Sequence, residues 1–410
     1  MLEKLKPELR FPEFDECWKL LKLGDITSKI GSGKTPRGGE SNYQLYGVPF
    51  IRSQNVQNGS LELDDTHIPL EIHEEMSNSK TKPFDILLNI TGASIGRCSI
   101  VPKDLKEANL NQHVSIIRIE SGEPLFYQNF IISHSGQKLI YQQQTTGGKE
   151  GLNFKSIRNF KVPSPSVEEQ QKIANFLKAI DKRIKLLKAK KDALEDYKTS
   201  IMQKLFSQEI RFKQDDGSDF PEWEEKKLST LFNGKKGKGL PKSSVAEQGK
   251  YPCVLYGELY TKYDEVIERV ISYTDSEDGV QSHKGDLLMP TSTTTTGIDL
   301  ANVTALNIED VRLGGDISIL RKKVELNTIF YAYYLSNYKK NELAKYAQGI
   351  TIVHLYFSHL KNIKVDFPHV NEQNKIAEFL LKLERKKFKI DDFISDLLMF
   401  KKSLLQKMFV

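Results

Sequence analysis

Apolar residues recur every seven positions through Glu169–Phe206 and again through Glu372–Phe409. The first set is Ile173, Ile180, Leu187, Leu194 and Ile201; the second is Ile376, Leu383, Ile390, Leu397 and Leu404. A second seam, four residues on, reads Leu177, Ile184, Lys191, Lys198 and Leu205, then Leu380, Lys387, Ile394, Lys401 and Met408. This is coiled-coil spacing, broken in each copy by two lysines. Neither segment contains Gly or Pro, so each predicts one helix of roughly 55–60 Å at about 1.5 Å per residue. The copies align without insertion at a constant offset, 372 − 169 = 203. A helix that long with one apolar stripe needs a partner, and its own repeat is the obvious one.

The segments between the helices are duplicated as well. Glu8-Leu9-Arg10-Phe11 with Trp18 opens the chain, and Glu209-Ile210-Arg211-Phe212 with Trp223 follows the first helix. The two tryptophans read as anchors of small cores, where large aromatics are usually found. Short β-rich runs come next: Val48 to Arg52, Ile86 to Ile90, Cys98 to Val101 and Val114 to Ile119. Leu125 to Gln143 predicts a helix interrupted at Gly136. The second half repeats the order with Tyr251 to Tyr256, Gly285 to Met289, Ile317 to Leu320 and a helix over Asn327 to Tyr346. Asp85-Ile86-Leu87-Leu88 matches Asp286-Leu287-Leu288-Met289, and Val114 to Arg118 matches Ile317 to Arg321. Prolines Pro163, Pro165 and Pro368 separate the last strands from the helices. The expected domains are therefore 1–165 and 209–368, with helical segments 166–208 and 369–410. The fold class is α+β, each domain mixed α/β around a β-rich core.

At 410 residues, with 28% charged positions and mean hydropathy of −0.46, the chain reads as a soluble multidomain protein. No apolar run has the length of a membrane span, and the opening residues do not read as a signal peptide. Cys17, Cys98 and Cys253 lie far apart without metal-ligand spacing, which suits a reducing cytoplasm. A net charge of +6 permits a polyanionic partner without demanding one.

Several segments imitate catalytic motifs. Gly31-Ser32-Gly33-Lys34-Thr35 resembles part of a phosphate loop, but Ser28 stands where the leading Gly is needed and Pro36 follows where a helix should run. It reads instead as a basic, Gly-rich loop, as do Gly234 to Gly239 and Gly147-Gly148-Lys149. His354 and His359 lack the glutamate of a zinc protease, and Asp85, Glu224 and Glu225 make no convincing nuclease set. No dinucleotide or adenosylmethionine fingerprint is present. What remains are clusters suited to nucleic acid. Arg, Gln and Asn pair bidentately with purine edges; Arg52-Ser53-Gln54-Asn55 supplies them after a predicted strand end, and Asn109-Leu110-Asn111-Gln112-His113 is similar, with Asn111 and Gln112 as its candidates. In the second half the candidates are Tyr256, Glu258, Tyr260, Lys262 and Tyr263, with the hydroxyl-rich run Thr291 to Thr296, Thr293 and Thr294 at its centre. Lys34, Thr35, Arg37, Lys149, Lys235, Lys236 and Lys238 are candidates for the phosphate chain. Any one of these could sit in a solvated loop; their recurrence at equivalent places carries the reading.

Glu169 to Leu177 and its copy Glu372 to Leu380, with Gly33-Lys34-Thr35-Pro36, Val48 to Arg52 and Gly92-Ala93-Ser94-Ile95-Gly96, resemble the DNA specificity subunits of type I restriction–modification systems. The resemblance covers essentially the whole chain. The second domain departs from it, with Thr291 to Gly297 in place of the Gly-x-x-Ile-Gly turn. The resemblance implies two target-recognition domains separated by two long antiparallel helices acting as a ruler, with internal pseudo-two-fold symmetry. Each domain would read half of a split, non-palindromic site in double-stranded DNA. Spacing near one DNA turn, about 34 Å, suits such a two-headed reader. It further implies partners: two methyltransferase subunits with S-adenosylmethionine, and restriction subunits with ATP and Mg2+. This chain itself would be non-catalytic, cofactor-free and cytoplasmic. The competing readings are a coiled-coil adaptor for proteins and a stand-alone DNA nuclease or methyltransferase.

Overall fold

The two heptad segments form the long helices Val167–Phe206 and Val370–Lys407 in a computed structural model whose described residues are 5–144 and 151–410. The chain divides into two units, Met1–Ala189 with Asp391–Val410, and Lys190–Ile390, so each unit takes part of both helices. Within the first unit Asp181 meets Lys401 at 2.5 Å and the Arg183 guanidinium lies 5.8 Å from the Phe393 ring. Within the second, Lys198 meets Glu384 at 2.6 Å and Lys387 meets Glu195 at 3.2 Å. Numbers rise on one helix as they fall on the other, so the pairing inside each unit is antiparallel. Of the repeated apolar positions, Ile173, Ile180, Leu187, Ile376, Leu383 and Leu404 are buried, and Leu194, Ile201, Ile390 and Leu397 are half-buried. Three of the lysines that break the second seam, Lys198, Lys387 and Lys401, are held by carboxylates there.

In the first unit a four-stranded antiparallel sheet has the order Thr27–Ser32, Val114–Ile119, Ile86–Asn89, Cys98–Ile100. A smaller sheet places Val48–Ile51 between His67–Ile68 and Asn109–Leu110, the latter pairing parallel. The second unit repeats the arrangement with more strands. Phe232–Lys236, Ile317–Lys322, Leu287–Pro290, Thr304–Leu306 and Val266–Ile267 make its main sheet. Tyr251–Val254 pairs parallel with Arg312–Leu313 in the other. The strand interiors Leu87, Ile116, Leu288 and Ile319 have no solvent exposure, as expected where both sheet faces are covered.

Recurring bonds tie each unit to its helices. Glu169 accepts both N–H arms of Arg10 at 2.7 Å and the Trp18 indole N–H at 3.3 Å. Glu372 accepts Arg211 at 3.1 and 2.9 Å and the Trp223 indole at 2.9 Å. Gln170 accepts from the Glu123 amide and donates to the Pro165 carbonyl; Gln373 does the same with Asn327 and Pro368. The repeated Glu-Gln pair is thus the joint between domain and helix, and the two tryptophans belong to it. Phe409 packs against Phe126 and Phe130, and Phe206 against Phe330 and Tyr334, closing each core on the end of a helix.

Three expectations about local structure need correction. Leu125 to Gln143 breaks at Ser133, not Gly136: Ser133 caps the second helix by accepting the Gly136 amide. Gly136 is small because an added Cβ would lie 2.1 Å from the Phe130 carbonyl oxygen. Asn327 to Tyr346 is not one α-helix; a π-helical turn, Tyr334–Tyr338, separates two short helices. Phe232–Lys236 is a strand rather than a loop start, its Gly234 lying under the Phe357 ring, where a Cβ would come within 2.3 Å.

Candidate nucleic-acid interface

In the first unit the candidate residues gather where several strands end. Gly33 follows Thr27–Ser32 and approaches the Leu110 carbonyl so closely that a Cβ would sit 1.9 Å from it. The glycine of the false phosphate loop is therefore a packing requirement. It leaves Lys34 exposed, with its amide donating to Leu110. Thr35 Oγ1 donates to Gln112 Oε1; Gln112 Nε2 lies 3.3 Å from His113 Nε2, and His113 Nδ1 lies 2.6 Å from Thr91 Oγ1. Thr91 pairs with Gly151, the residue after 145–150; Lys149 therefore lies outside the described residues. Arg37 is exposed on the loop after Pro36.

Arg52 to Asn55 form a short turn after Val48–Ile51. Arg52 donates to Asp64 at 2.7 Å and to Thr66 at 2.8 Å, and its guanidinium lies 5.8 Å from the Tyr43 ring. Gln54 donates to the same Asp64 oxygen at 3.0 Å. Burial works to raise the Asp64 carboxyl, but hydrogen bonds from Thr66, Arg52, Asn55 and Gln54 outweigh it and hold it well below the usual carboxylate range. Ser53 accepts the Asn89 amide through its carbonyl. Asn55 departs from the expected base-reading role: it is 3% exposed, accepts the Arg52 amide and donates to the Glu62 carbonyl, so its side chain caps the turn. Asn111 is also buried, accepting the His113 amide. Asp64, Thr66, Tyr43 and Thr91 were not legible as site residues, since only the fold brings them to Arg52 and His113.

In the second unit Gly237 repeats the close approach of Gly33, with a Cβ falling 1.9 Å from the Gly314 carbonyl oxygen, and Lys238 follows it exposed. Lys235 and Lys236 are exposed on their strand; Lys236 lies 3.7 Å from Asp316 and 5.6 Å from the Tyr356 ring. Glu258 is the counterpart of Asn55, accepting the Leu255 amide at 2.7 Å. Tyr256 and Tyr260, with ring centroids 6.4 Å apart, and exposed Lys262 border a cleft of about 730 Å3. Tyr263 faces elsewhere: its hydroxyl accepts the Ile271 amide, and its ring packs against the core. Thr293 is buried and bonded to Thr295, whereas Thr294 is exposed. Thr295 and Thr296 bond to Asp299 and hold its carboxyl below the usual range, so part of the hydroxyl run caps a helical turn.

The carboxylates that imitate a nuclease have structural partners. Asp85 is 1% exposed and bidentate to Arg118 at 2.7 Å, and Asp286 repeats this bond with Arg321. Glu225 pairs with Lys364, and Glu224 with Lys226. No group of three metal-ligating side chains occurs among the described residues. No helix of the described residues is long and apolar enough to cross a membrane.

A frame built twice, with polar side chains gathered at the strand ends of each unit, suits a recognition protein. The family model for the type I restriction modification DNA specificity domain matches twice, over residues 15–196 and 221–396. The chain therefore belongs to the type I restriction–modification DNA specificity family, whose members are recognition subunits rather than catalysts and work in a complex with other subunits and DNA. It is 24% identical over 390 residues to the MjaVIII specificity subunit of Methanocaldococcus jannaschii, covering 92% of this chain and 87% of that one. It is 31% identical over 154 residues to the EcoBI specificity subunit of Escherichia coli, covering 36% of this chain and 30% of that one. The fold is shared with the S subunit from M. genitalium, at a TM-score of 0.62 and 16% identity over 99% of both chains. A chain solved in work on complex assembly of the type I system aligns with a TM-score of 0.55 and 17% identity, over 95% of this chain and 96% of that one.

Proposed function

We propose that this specificity subunit reads a split, non-palindromic site in double-stranded DNA, each unit reading one half through the major groove. One observation carries the reading: the bonds of the frame recur in both units, while the residues at the strand ends differ. Glu169 and Glu372, Asp85 and Asp286, and Asn55 and Glu258 do equivalent work. Arg52, Gln54 and Gln112 have no chemical counterpart in the second unit. A shared frame with unlike readers suits two unlike half-sites.

Lys34, Arg37, Lys149, Lys235, Lys236 and Lys238 hold phosphates, and Arg52, Gln54, Gln112 and Thr294 face base edges, with Ser53 beside them. The long helices recruit two methyltransferase subunits, which bring S-adenosylmethionine and modify adenine, and restriction subunits that use ATP and Mg2+. The complex works in the cytoplasm, where its DNA is. The test replaces Glu209–Pro368 by a second copy of Glu8–Pro165 and maps methylated bases in cells that also carry the partner subunits. Two identical readers related by a two-fold axis read inverted copies of one half-site, so the methylated site becomes palindromic. Retention of an asymmetric site would overturn the assignment of one unit to each half.

A further inference from the structure

We infer that the second unit carries a nucleobase-binding cleft, which receives one base extruded from the half-site this unit reads. The inference rests on the DNA-reading role proposed above.

The cleft is lined by three glycines: Gly257 and Gly315 stand where a side chain would fit, whereas Gly239 holds a left-handed φ of 61° that itself favours glycine. Gln112 lies between Asn111, whose amide donates to Ile51, and His113, whose carbonyl accepts from Ile90. Gly315 lies between Gly314, whose amide donates to Val254, and Asp316, whose carbonyl accepts from Thr291. The two positions are therefore equivalent. Gln54 precedes the capping Asn55 as Gly257 precedes the capping Glu258. Thr35 follows the tight Gly33 by two residues, as Gly239 follows Gly237. At all three places the first unit presents a hydrogen-bonding side chain and the second has glycine. Gly239, Gly257 and Gly315 all line the 730 Å3 cleft. Gly257 and Gly315 are not small for lack of room: an added Cβ would find its nearest neighbours at 3.8 and 3.6 Å, and neither φ is left-handed. Leu240, on the cleft wall, holds a left-handed φ of 61°, an uncommon conformation for a branched side chain.

The chemistry of the lining selects the occupant. A concave site cannot reach base edges that lie inside a duplex; only a protruding group can enter, either the sugar–phosphate ridge or a base out of the stack. Leu240, Pro241, Tyr256 and Tyr260 form an apolar and aromatic wall, and Glu258 and Asp316 also face the space. The two carboxylates match Lys242 and Lys262 in number, so the lining has no net positive charge to select a phosphate. Tyrosine rings offer a stacking surface to any base, and extruded bases are held between aromatic and apolar side chains. Lys242 and Lys262 at the same cleft can neutralise the phosphates flanking the extruded nucleotide.

The test uses the full chain assembled with its methyltransferase partners on duplex DNA containing the mapped site. Gly257→Gln with Gly315→Gln rebuilds the carboxamides of the first unit and fills the cleft; Tyr256→Ala removes a wall. Each should weaken specific binding about tenfold or more, the scale of one lost base–aromatic stack, with the melting temperature unchanged. Cryo-electron microscopy of the wild-type complex should place one base of the second half-site, other than the methylated adenine, in the cleft and against the ring of Tyr256 or Tyr260. Wild-type affinity in the glutamine double variant, or a cleft that is empty or filled by phosphate in the complex, overturns the inference. If the assembled complex shows no sequence preference at all, the reading role fails first, and that outcome is distinct from either.

Discussion

The two units solve one structural problem alike and one recognition problem differently. At the joint with the long helices, Glu169 binds Arg10 and Trp18 as Glu372 binds Arg211 and Trp223. At the strand ends the first unit is filled with polar side chains, Arg52 and Gln54 on Asp64 and Thr35 on Gln112, where the second opens a cleft beside two tyrosines. Geometry that sets distance and orientation leaves little freedom for substitution, because buried charges must stay matched. A reading edge need only keep its backbone course. Even there, the capping acceptor is kept in function but changed in kind, from the Asn55 amide to the Glu258 carboxylate.

The strongest way to break this comparison is at the joint. Glu169→Ala and Glu372→Ala each remove a carboxylate at most 1% exposed; Arg10 loses its bidentate partner, whereas Arg211 keeps Glu222 and the Phe220 and Pro221 carbonyls. Breaking a buried pair from one side costs about 3–5 kcal/mol. Glu169→Ala should therefore lose more stability than Glu372→Ala in denaturant titrations; equal losses would mean that the further acceptors of Arg211 contribute nothing.

Lys198 and Lys401 offer a graded version. Both occupy the same seam position and bind an acidic residue at the same place on the facing helix, but Glu384 is 5% exposed and Asp181 is 42% exposed. Lys198→Met should cost about 3 kcal/mol, whereas Lys401→Met should cost less than about 1 kcal/mol. The Lys198 penalty also has a pH window. Burial would raise Glu384, but hydrogen bonds from Lys198 and Lys387 outweigh it and lower the carboxyl below its ordinary 4.5. Burial would lower Lys198, but the charges of Glu265 and Glu384 raise it above its ordinary 10.5. The carboxylate share of the stability is complete above the ordinary carboxylate value and is lost as pH falls through the lowered one. The ammonium share is complete below the ordinary lysine value and is lost as pH rises through the raised one. Unfolding of wild type and Lys198→Met should therefore converge at both extremes, and a gap constant with pH would contradict the assignment.

The frame was legible in the sequence because it is periodic and repeated. A heptad of isoleucine and leucine has few other meanings, and an exact 203-residue offset locates each helix twice. The lysines in the seam looked like defects, since the acidic partners Glu384 of Lys198 and Asp181 of Lys401 lie on the other helix. The candidate reading edge was legible only as composition. Asn55 and Gln54 are adjacent polar residues in one turn, yet one is spent as a cap and the other reaches Asp64. No local pattern separates those fates. The cleft was harder still, because its distinguishing residues are glycines. Gly239, Gly257 and Gly315 acquire meaning only when the fold aligns them with Thr35, Gln54 and Gln112.

At the first reading edge, Arg52→Ala should relax one base position of one half-site by about 1–3 kcal/mol, measured as a specificity ratio. It also releases Asp64, leaving a partly exposed carboxylate close to DNA. The double variant Arg52→Ala with Asp64→Asn should recover general affinity while discrimination stays lost. Recovery of discrimination as well would show that Arg52 acts only by masking Asp64.

The smallest effect is expected where the two edges are most alike. Lys34 and Lys238 each follow a glycine fixed by close approach to a backbone carbonyl, and both are exposed. Their position is set by the frame and not by the neighbouring readers. A lysine held this way suits a phosphate, whose place on DNA does not depend on sequence. Alanine at either should reduce the slope of log affinity against log salt by about 1. The loss should be the same for specific and unrelated duplexes, and equal for the two variants. Filter-binding titrations across salt concentrations with both kinds of duplex decide this. A change in base preference from Lys238→Ala, without one from Lys34→Ala, would move Lys238 from the shared frame to the reading surface of the second unit.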